Sequence, residues 1–313
     1  MWIESIPNFS EGKNSETLHA LAEAARLSRV SVLGMEGDPD HNRSVLTLAG
    51  PPDRMLDALL AASRVALERI DLSRQRGVHP RMGAVDVIPL VPLGETSMEE
   101  AVALSRELGA CLGQELGLPV YLYEQSASRA EHHNLAHVRG GGFNRLAQRM
   151  AEDPPDFGPP YPHPTAGAVA VGARWPLIAF NCYLSGGGLA VAKAIARGVR
   201  ASGGGLAGVK ALGLELKSQG AVQVSMNIVD YPKTPLPMAV ERVRQAAADH
   251  GLHVTRTELV GLMPLRALFD VAEYYLGLAG IEIKDIVELS LASDAIHAVM
   301  LPEESDLGKR VRS

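Results

Sequence analysis

The chain has 313 residues, 46% hydrophobic and 21% charged, a balance that excludes wholesale disorder and fits one large or two ordinary domains. A formal net charge of −6 argues against a broad nucleic-acid-binding face. The two cysteines, Cys111 and Cys182, exclude a zinc ribbon or a disulfide scaffold and fit a reducing cytoplasm. Charge or glycine breaks every apolar run before it reaches membrane-spanning length, and the N-terminus lacks the basic and apolar regions of a secretory leader, so a cytoplasmic location is expected.

In chain order, Trp2 to Ile6 is a short strand candidate that runs into the turn Pro7-Asn8-Phe9-Ser10-Glu11-Gly12. Asn14 or Ser15 can cap a helix to about Ser28, whose apolar face includes Leu18, Leu21, Ala25 and Leu27. Strands are predicted over Val30 to Met35 and, after the polar loop Asp38 to Asn42, over Arg43 to Leu48. Asp53 is placed as the cap of a second helix to about Ile70, and Val85 to Val91 is an apolar, β-branched strand. Ser97 and Glu100 form a capping box for a third helix to about Gly117, ahead of the strand Val120 to Tyr123.

The stretch from Glu152 to Thr165 is too rich in proline to be a regular element. Beyond it come strands at Ala168–Val171 and Leu177–Tyr183, a helix at Leu189–Arg200 and the glycine tract Gly203-Gly204-Gly205, which leads to a further strand region. Val222–Val229 is a strand, Pro237–His250 a helix and His253–Leu259 a strand. Both halves thus read β-α-β-β-α-β, the ferredoxin-like order. The fold class expected is α/β of the α+β type, two subdomains with mixed sheets and a ligand cleft between them, divided as residues 1–175 and 176–313. A doubly wound sheet is the rival, against which strand pairs lacking an intervening helix count.

The densest polar constellation runs from Gly77 to Asp86 through His79-Pro80-Arg81-Met82-Gly83-Ala84, between a helix and a buried strand. His79 is its one side chain able to carry a proton either way near neutral pH. A second cluster, Glu36, Asp38, Asp40, His41, Asn42 and Arg43, supplies a carboxylate to orient a histidine and donors for substrate carboxylates. A hard-cation site on Asp38 and Asp40 lacks any recognised ligand spacing, and Asp-Pro-Asp is ordinary turn chemistry. Adjacent His132 and His133 would point about 100° apart on a helix and rarely share an ion. That segment reads as a polar loop before Arg139-Gly140-Gly141-Gly142, and no metal is expected. The glycine tracts match neither dinucleotide nor P-loop fingerprints, and GxSxG is absent. The residues alone point to acid–base catalysis and positioning, and they name no substrate.

Several blocks give the chain a resemblance to a known family. They are Pro7–Gly12, Asn42-Arg43, His79–Ala84 with Asp86, Pro119–Tyr123, Pro155–Pro159, Gly172–Arg174 with Ala179-Phe180-Asn181, Gln223–Asn227 and Glu258–Leu262. In this order they resemble the glutamate formimidoyltransferase (formiminotransferase) family over nearly the whole chain. The resemblance implies transfer of a formimidoyl group from N-formimidoyl-L-glutamate to N5 of tetrahydrofolate, a co-substrate, with release of glutamate during histidine breakdown. It implies His79 as the catalytic histidine and Glu36 as its acidic partner, in a position where the family has aspartate. Folate contacts carry over onto Gly158, Pro159, Pro160, Tyr161, Pro162, His163, Pro164, Thr165, Ala166 and Gly167, and onto Gly204, Lys210 and Gly213 of a second stretch that is shorter and richer in glycine here. Arg43, Arg81 and Arg174 lie inside matching blocks and are the candidates for binding glutamate carboxylates, with structural pairing to nearby acids as the competing reading. Small-molecule substrates, a homodimer, and no nucleic-acid or membrane partner are expected. The chain's end at Ser313 leaves no room for the cyclodeaminase domain of bifunctional animal forms, so 5-formimidoyltetrahydrofolate is the expected product. Two alternatives stand beside this: a formyltransferase working between N-formylglutamate and 5-formyltetrahydrofolate, and a non-catalytic folate-binding protein.

Overall fold

A computed structural model describes residues 1–286 apart from 40, 76–80, 217–219, 279 and 283–284. The chain divides into two compact units, Met1–Arg174 and the described residues from Trp175 onward.

In the first unit β1 (Trp2–Ser5) and β2 (Asn8–Phe9) are followed by α1 (Ser15–Leu27), β3 (Ser31–Asp38), β4 (Arg43–Gly50), α2 (Pro52–Arg69) and β5 (Val85–Leu93). Then come α3 (Met98–Leu116), β6 (Val120–Leu122), two 3-10 turns, α4 (Leu135–Val138), α5 (Gly142–Glu152) and β7 (Val169–Ala173). Strands β1 and β2 are two halves of one interrupted strand, since both pair antiparallel with β4 on one side and β5 on the other. Pro7 stands at the interruption; it has no amide hydrogen to give, but its carbonyl still accepts from Leu46 N at 3.0 Å. The order β3-β4-(β1, β2)-β5 is the split βαββαβ arrangement, and β7 and then β6 extend it in parallel beyond β5.

Alternation decides which residues face which layer. Val120 and Leu122 of β6, with Val169 and Val171 of β7, join the core beneath α1, α2 and α3. Tyr121, Tyr123, Ala168 and Ala170 point the other way, onto Val138, Leu146 and Met150 of α4 and α5. The Ser97–Glu100 capping box forms as the sequence predicts, with bonds of 3.1 and 2.7 Å, and α3 ends at Gly117 with φ +61°. At α2 the prediction fails. Extended Pro51 is the N-cap and Pro52 opens the helix, so Asp53 contributes first-turn charge rather than a cap. The segment before Arg139, expected as a polar loop, contains the single turn of α4, and α5 has no counterpart in the sequence reading, since it buries only Leu146 and Met150, too sparse a stripe to stand out beside three glycines. Leu27, expected on the apolar face of α1, is exposed at the end of that helix.

The second unit consists of β8 (Ile178–Leu184), α6 (Gly188–Val199), β9 (Val209–Leu216), β10 (Ala221–Ile228), α7 (Leu236–Ala248), β11 (Val254–Val260) and α8 (Leu265–Leu276). Its sheet order is β11-β8-β10-β9, antiparallel throughout, so β10 lies inside the β8-α6-β9 crossover as the βαββαβ reading requires. Ile178, Cys182, Val224 and Met226 face Ala192, Ile195, Ala239 and Val243 of α6 and α7. The sequence reading stopped short of α8. Among the described residues no helix is long and apolar enough to cross a membrane.

Candidate active site

At one end of the first unit's sheet, the loop after β2, the β3–β4 turn, the segment after α2 and the start of β5 converge. Asn42 makes the turn with φ +49°, a left-handed conformation that asparagine tolerates better than most residues. It is 4% exposed; its Oδ1 accepts from Gly12 N at 3.0 Å and its Nδ2 donates to Gln75 Oε1. Gln75 in turn donates to Glu11 Oε2 at 2.8 Å, while Glu11 Oε1 accepts from the amides of Lys13 and Asn14 at 2.7 and 3.0 Å. Burial pushes the Glu11 carboxyl up, but bonds from Lys13, Asn14, Gln75 and Gly12 more than reverse this and hold it below the usual carboxylate range.

Asp86, 2% exposed on β5, anchors the charged part of the cluster. Its Oδ1 accepts from Met82 N at 2.8 Å, and its Oδ2 pairs with Arg139 Nη2 at 2.6 Å. Arg43 donates to Asn8 Oδ1 beside it; burial pushes its guanidinium down to about 10, Asp86 opposes this, and Arg139 and Arg81 add to it. Arg81 donates to the carbonyls of His41 and Asn42 at 3.1 and 3.4 Å, and burial lowers its pKa against the opposing charges of Asp86 and Glu11. Three guanidiniums therefore gather around one deeply buried carboxylate. Beside them opens a cleft of about 570 Å³ whose walls include Glu11, Asn42, Gln75 and the exposed cations Lys13, Arg69 and Arg74. That size suits a small molecule. Arginine forks match carboxylates in geometry as well as charge.

His79 lies outside the described residues, but Gln75 and Arg81, on either side of residues 76–80, are both fastened to the Asn42 turn. Arg43 and Arg81 come together beside Asp86. Arg174 does not. It follows the C-terminal end of β7, where its amide donates to Leu90 O at 3.0 Å and its charge acts on Glu4 and Tyr123. The cluster borders the opposite end of that strand, so the sheet's length separates Arg174 from it. Glu36 is exposed on the edge strand β3, paired through its backbone with Val45, and its side chain makes no hydrogen bond or ion pair among the described residues.

The Gly158–Gly167 stretch closes on the cluster through its backbone. His163 and Gly167 exchange amide bonds of 2.9 Å, Thr165 O accepts from Leu72 N at 2.8 Å, and Ala166 O accepts from Ala84 N at 2.9 Å. Gly83 and Gly167 bridge the two segments; a Cβ on Gly83 would sit 2.0 Å from Ala168 O, so that position admits only glycine. His163 Nδ1 accepts from Ala166 N at 3.0 Å, and burial lowers its pKa. Tyr161 is 64% exposed, while Gly158, Pro159, Pro160, Pro162 and Pro164 form the run between Phe157 and this turn.

Gly204, Lys210 and Gly213 belong to the second unit. Gly204 follows a 3-10 turn, and Lys210 is exposed on the face of β9 opposite the core. Gly213 faces the other way, where a Cβ would meet the Ala192 backbone at 2.3 Å. Close passage of α6 over β9 explains that glycine, so it does not offer its surface to a ligand. On the face shared with Lys210, Glu258 accepts from Asn181 Nδ2 at 3.0 Å and Tyr183 OH at 2.8 Å, and these bonds lower its pKa. The Arg256 guanidinium stacks 3.4 Å over the Tyr183 ring. The residues missed from sequence are Glu11, Gln75 and above all Arg139, which is 53 positions from Asp86 (139 − 86) in what reads as a bland loop.

Fold and site together define an α/β protein of two βαββαβ units, the first with a cleft beside a buried cluster of arginines around Asp86. The family model for the formiminotransferase domain, N-terminal subdomain, matches residues 2–174, and that for the formiminotransferase domain matches residues 179–301. The chain is 43% identical over 298 residues to a glutamate formimidoyltransferase of Thermoplasma acidophilum, covering 94% of this chain and 98% of that protein. It is 41% identical over 277 residues to one of Streptococcus pyogenes, covering 88% and 93%. A formimidoyltransferase-cyclodeaminase of Gallus gallus is 39% identical over 287 residues, 88% of this chain but 52% of that protein. This chain belongs to the formiminotransferase family.

Proposed function

We propose that the protein is a glutamate formimidoyltransferase, moving the formimidoyl group of N-formimidoyl-L-glutamate to N5 of tetrahydrofolate and releasing glutamate. The observation that carries this reading is identity above 40%, over nearly the full length of both chains, to two proteins bearing that name. The arginine cluster supports it, since both substrates end in glutamate carboxylates.

In this reading N5 attacks the amidine carbon. The tetrahedral adduct then loses a proton from N5 while the glutamate nitrogen gains one, and the carbon–nitrogen bond to glutamate breaks. His79 carries the proton in both directions, a task worth about 10²–10⁴-fold in rate. Chain connectivity keeps it two residues from Arg81 and four from Gln75. Arg43 and Arg81 orient a glutamate carboxylate. The family resemblance makes Glu36, on the edge strand β3, the acidic partner of His79. The turn at Gly158–Gly167 and the exposed Lys210 contact the folate, with Gly204 in the same second stretch. The family resemblance adds a homodimer acting in the cytoplasm as part of the proposal.

The test is a side-by-side assay of the purified protein with tetrahydrofolate and either N-formimidoylglutamate or N-formylglutamate. Production of 5-formimidoyltetrahydrofolate from the first donor is expected. Turnover of the formyl donor alone would replace this reading, and folate binding without turnover of either donor would reduce the protein to a binder.

A further inference from the structure

The first unit carries a second group of titratable side chains that formimidoyl transfer does not use. His132 lies on the 3-10 turn Ala130–His133, His137 on the single turn of α4, and Asp153 at the C-cap of α5. One potential ligand atom from each falls within 4.8 Å of the other two. They share a cleft of about 260 Å³ with Arg129, Glu131 and Glu152. Three carboxylates face one guanidinium there, which leaves an acidic excess when the imidazoles are neutral.

His132 is 1% exposed. Its Nε2 meets Asp153 Oδ2 at 2.9 Å, and its Nδ1, equally buried, has no hydrogen-bond partner among the described residues. A histidine buried only to hold one aspartate would not leave its second nitrogen unsatisfied. Nor would that role explain His137, whose ring lies 6.0 Å from the His132 ring, centroid to centroid, on the open side of the cleft. Asp153 is already set in place: Arg129 holds its Oδ1, and Tyr121 OH donates to its backbone carbonyl at 2.7 Å. Supports of this kind fix ligands around metal centres.

We propose that His132, His137 and Asp153 form a binding site for a divalent transition ion of the zinc class. One nitrogen from each histidine and one Asp153 oxygen are the ligands, and Glu131, Glu152 or water completes a tetrahedron. Two imidazoles with one carboxylate is a donor set that prefers borderline ions to calcium or magnesium. The residues after His137 give the ion its purpose. Val138 O accepts from Arg149, and Arg139 reaches Asp86 in the arginine cluster. The ion thereby ties the turn at 130–133, α4 and the end of α5 together, and steadies the segment that delivers Arg139.

The experiment uses the untagged, full-length protein, stripped of metal and titrated with zinc against a chromophoric chelator, and separately with cobalt for its visible ligand-field bands. One zinc per chain is expected, together with a rise in Tm at saturating zinc. His137→Ala, a change at an exposed position, should weaken zinc binding by at least about tenfold, the lower end of what even outer-shell losses cost. It should also abolish the cobalt bands. His250→Ala, at an exposed histidine after α7, should leave both unchanged. Substoichiometric zinc in the wild type, or wild-type affinity in His137→Ala, would overturn the proposal.

Discussion

The two units share one βαββαβ plan and place their polar residues differently. In the first, parallel strands β7 and β6 extend the sheet beyond β5, so β5 becomes an interior strand buried almost end to end. Asp86 near its start consequently lies out of water, where a carboxylate must be paired, and Arg139, Arg43 and Arg81 gather around it. Among the described residues the second unit has four strands and keeps one face alternating with its core, so Lys210, Asn181 and Glu258 lie on the sheet's other face, where Glu258 accepts from Asn181 Nδ2. Extending a sheet by two strands buries a strand end and the charges gathered there. The four-strand sheet leaves its polar residues on one face, opposite the helices.

The largest effect that tests this contrast is at the pocket. His79→Ala should lower turnover by about 10²–10⁴-fold with an unchanged circular-dichroism spectrum. Retained turnover would move the chemistry elsewhere. Asp86→Ala should instead cost about 3–5 kcal/mol in urea unfolding, because it strands buried guanidiniums without their counter-charge. A loss below 1 kcal/mol would mean the arginines do not depend on it.

In the second unit Gly213→Ala should destabilise by about 1–3 kcal/mol, through overlap with α6. Lys210→Ala should change stability by less than about 0.5 kcal/mol while raising KM for tetrahydrofolate. If Gly213→Ala raised that KM with stability intact, the helix-packing account of this glycine would fail. Back in the pocket, Arg81→Gln should raise KM for the acidic donor about tenfold, the equivalent of about 1.4 kcal/mol. An unchanged KM there would leave Arg81 a purely structural residue.

The smallest effect concerns acid. Glu11 has a folded-state pKa below its ordinary 4.5, so the stability it contributes is complete above that pH and disappears as pH falls through the folded value. Melting curves from pH 6 to 3 should show a steeper fall in the wild type than in Glu11→Gln. Parallel slopes would show that the Gln75 and loop bonds do not favour the ionised form.

Much of this architecture was legible beforehand, for reasons tied to particular residues. The Ser97–Glu100 box and Gly117 mark both ends of α3 because caps are local chemistry. The doubled βαββαβ order follows from hydrophobic period, and Arg43 and Arg81 were singled out by the blocks that hold them. Arg174 sits in an equally good block and still lies at the far end of β7, because motif membership carries no distance. His132 and His133 looked like a failed metal pair. In the fold His132 turns toward His137 and Asp153 instead, a grouping that adjacent positions in sequence could not disclose.

Composition, periodicity and motif order by themselves determined the class of the chain and its doubled βαββαβ order, since each depends on neighbours a few residues apart. Only the tertiary structure decided that Asp86 would be paired by Arg139, that Gln75 would link Glu11 to Asn42, and that Gly213 serves a helix. Those outcomes depend on burial and on contacts between segments tens of residues apart. A buried charge selects whichever partner the folded chain brings within reach, and no local pattern encodes which one that is.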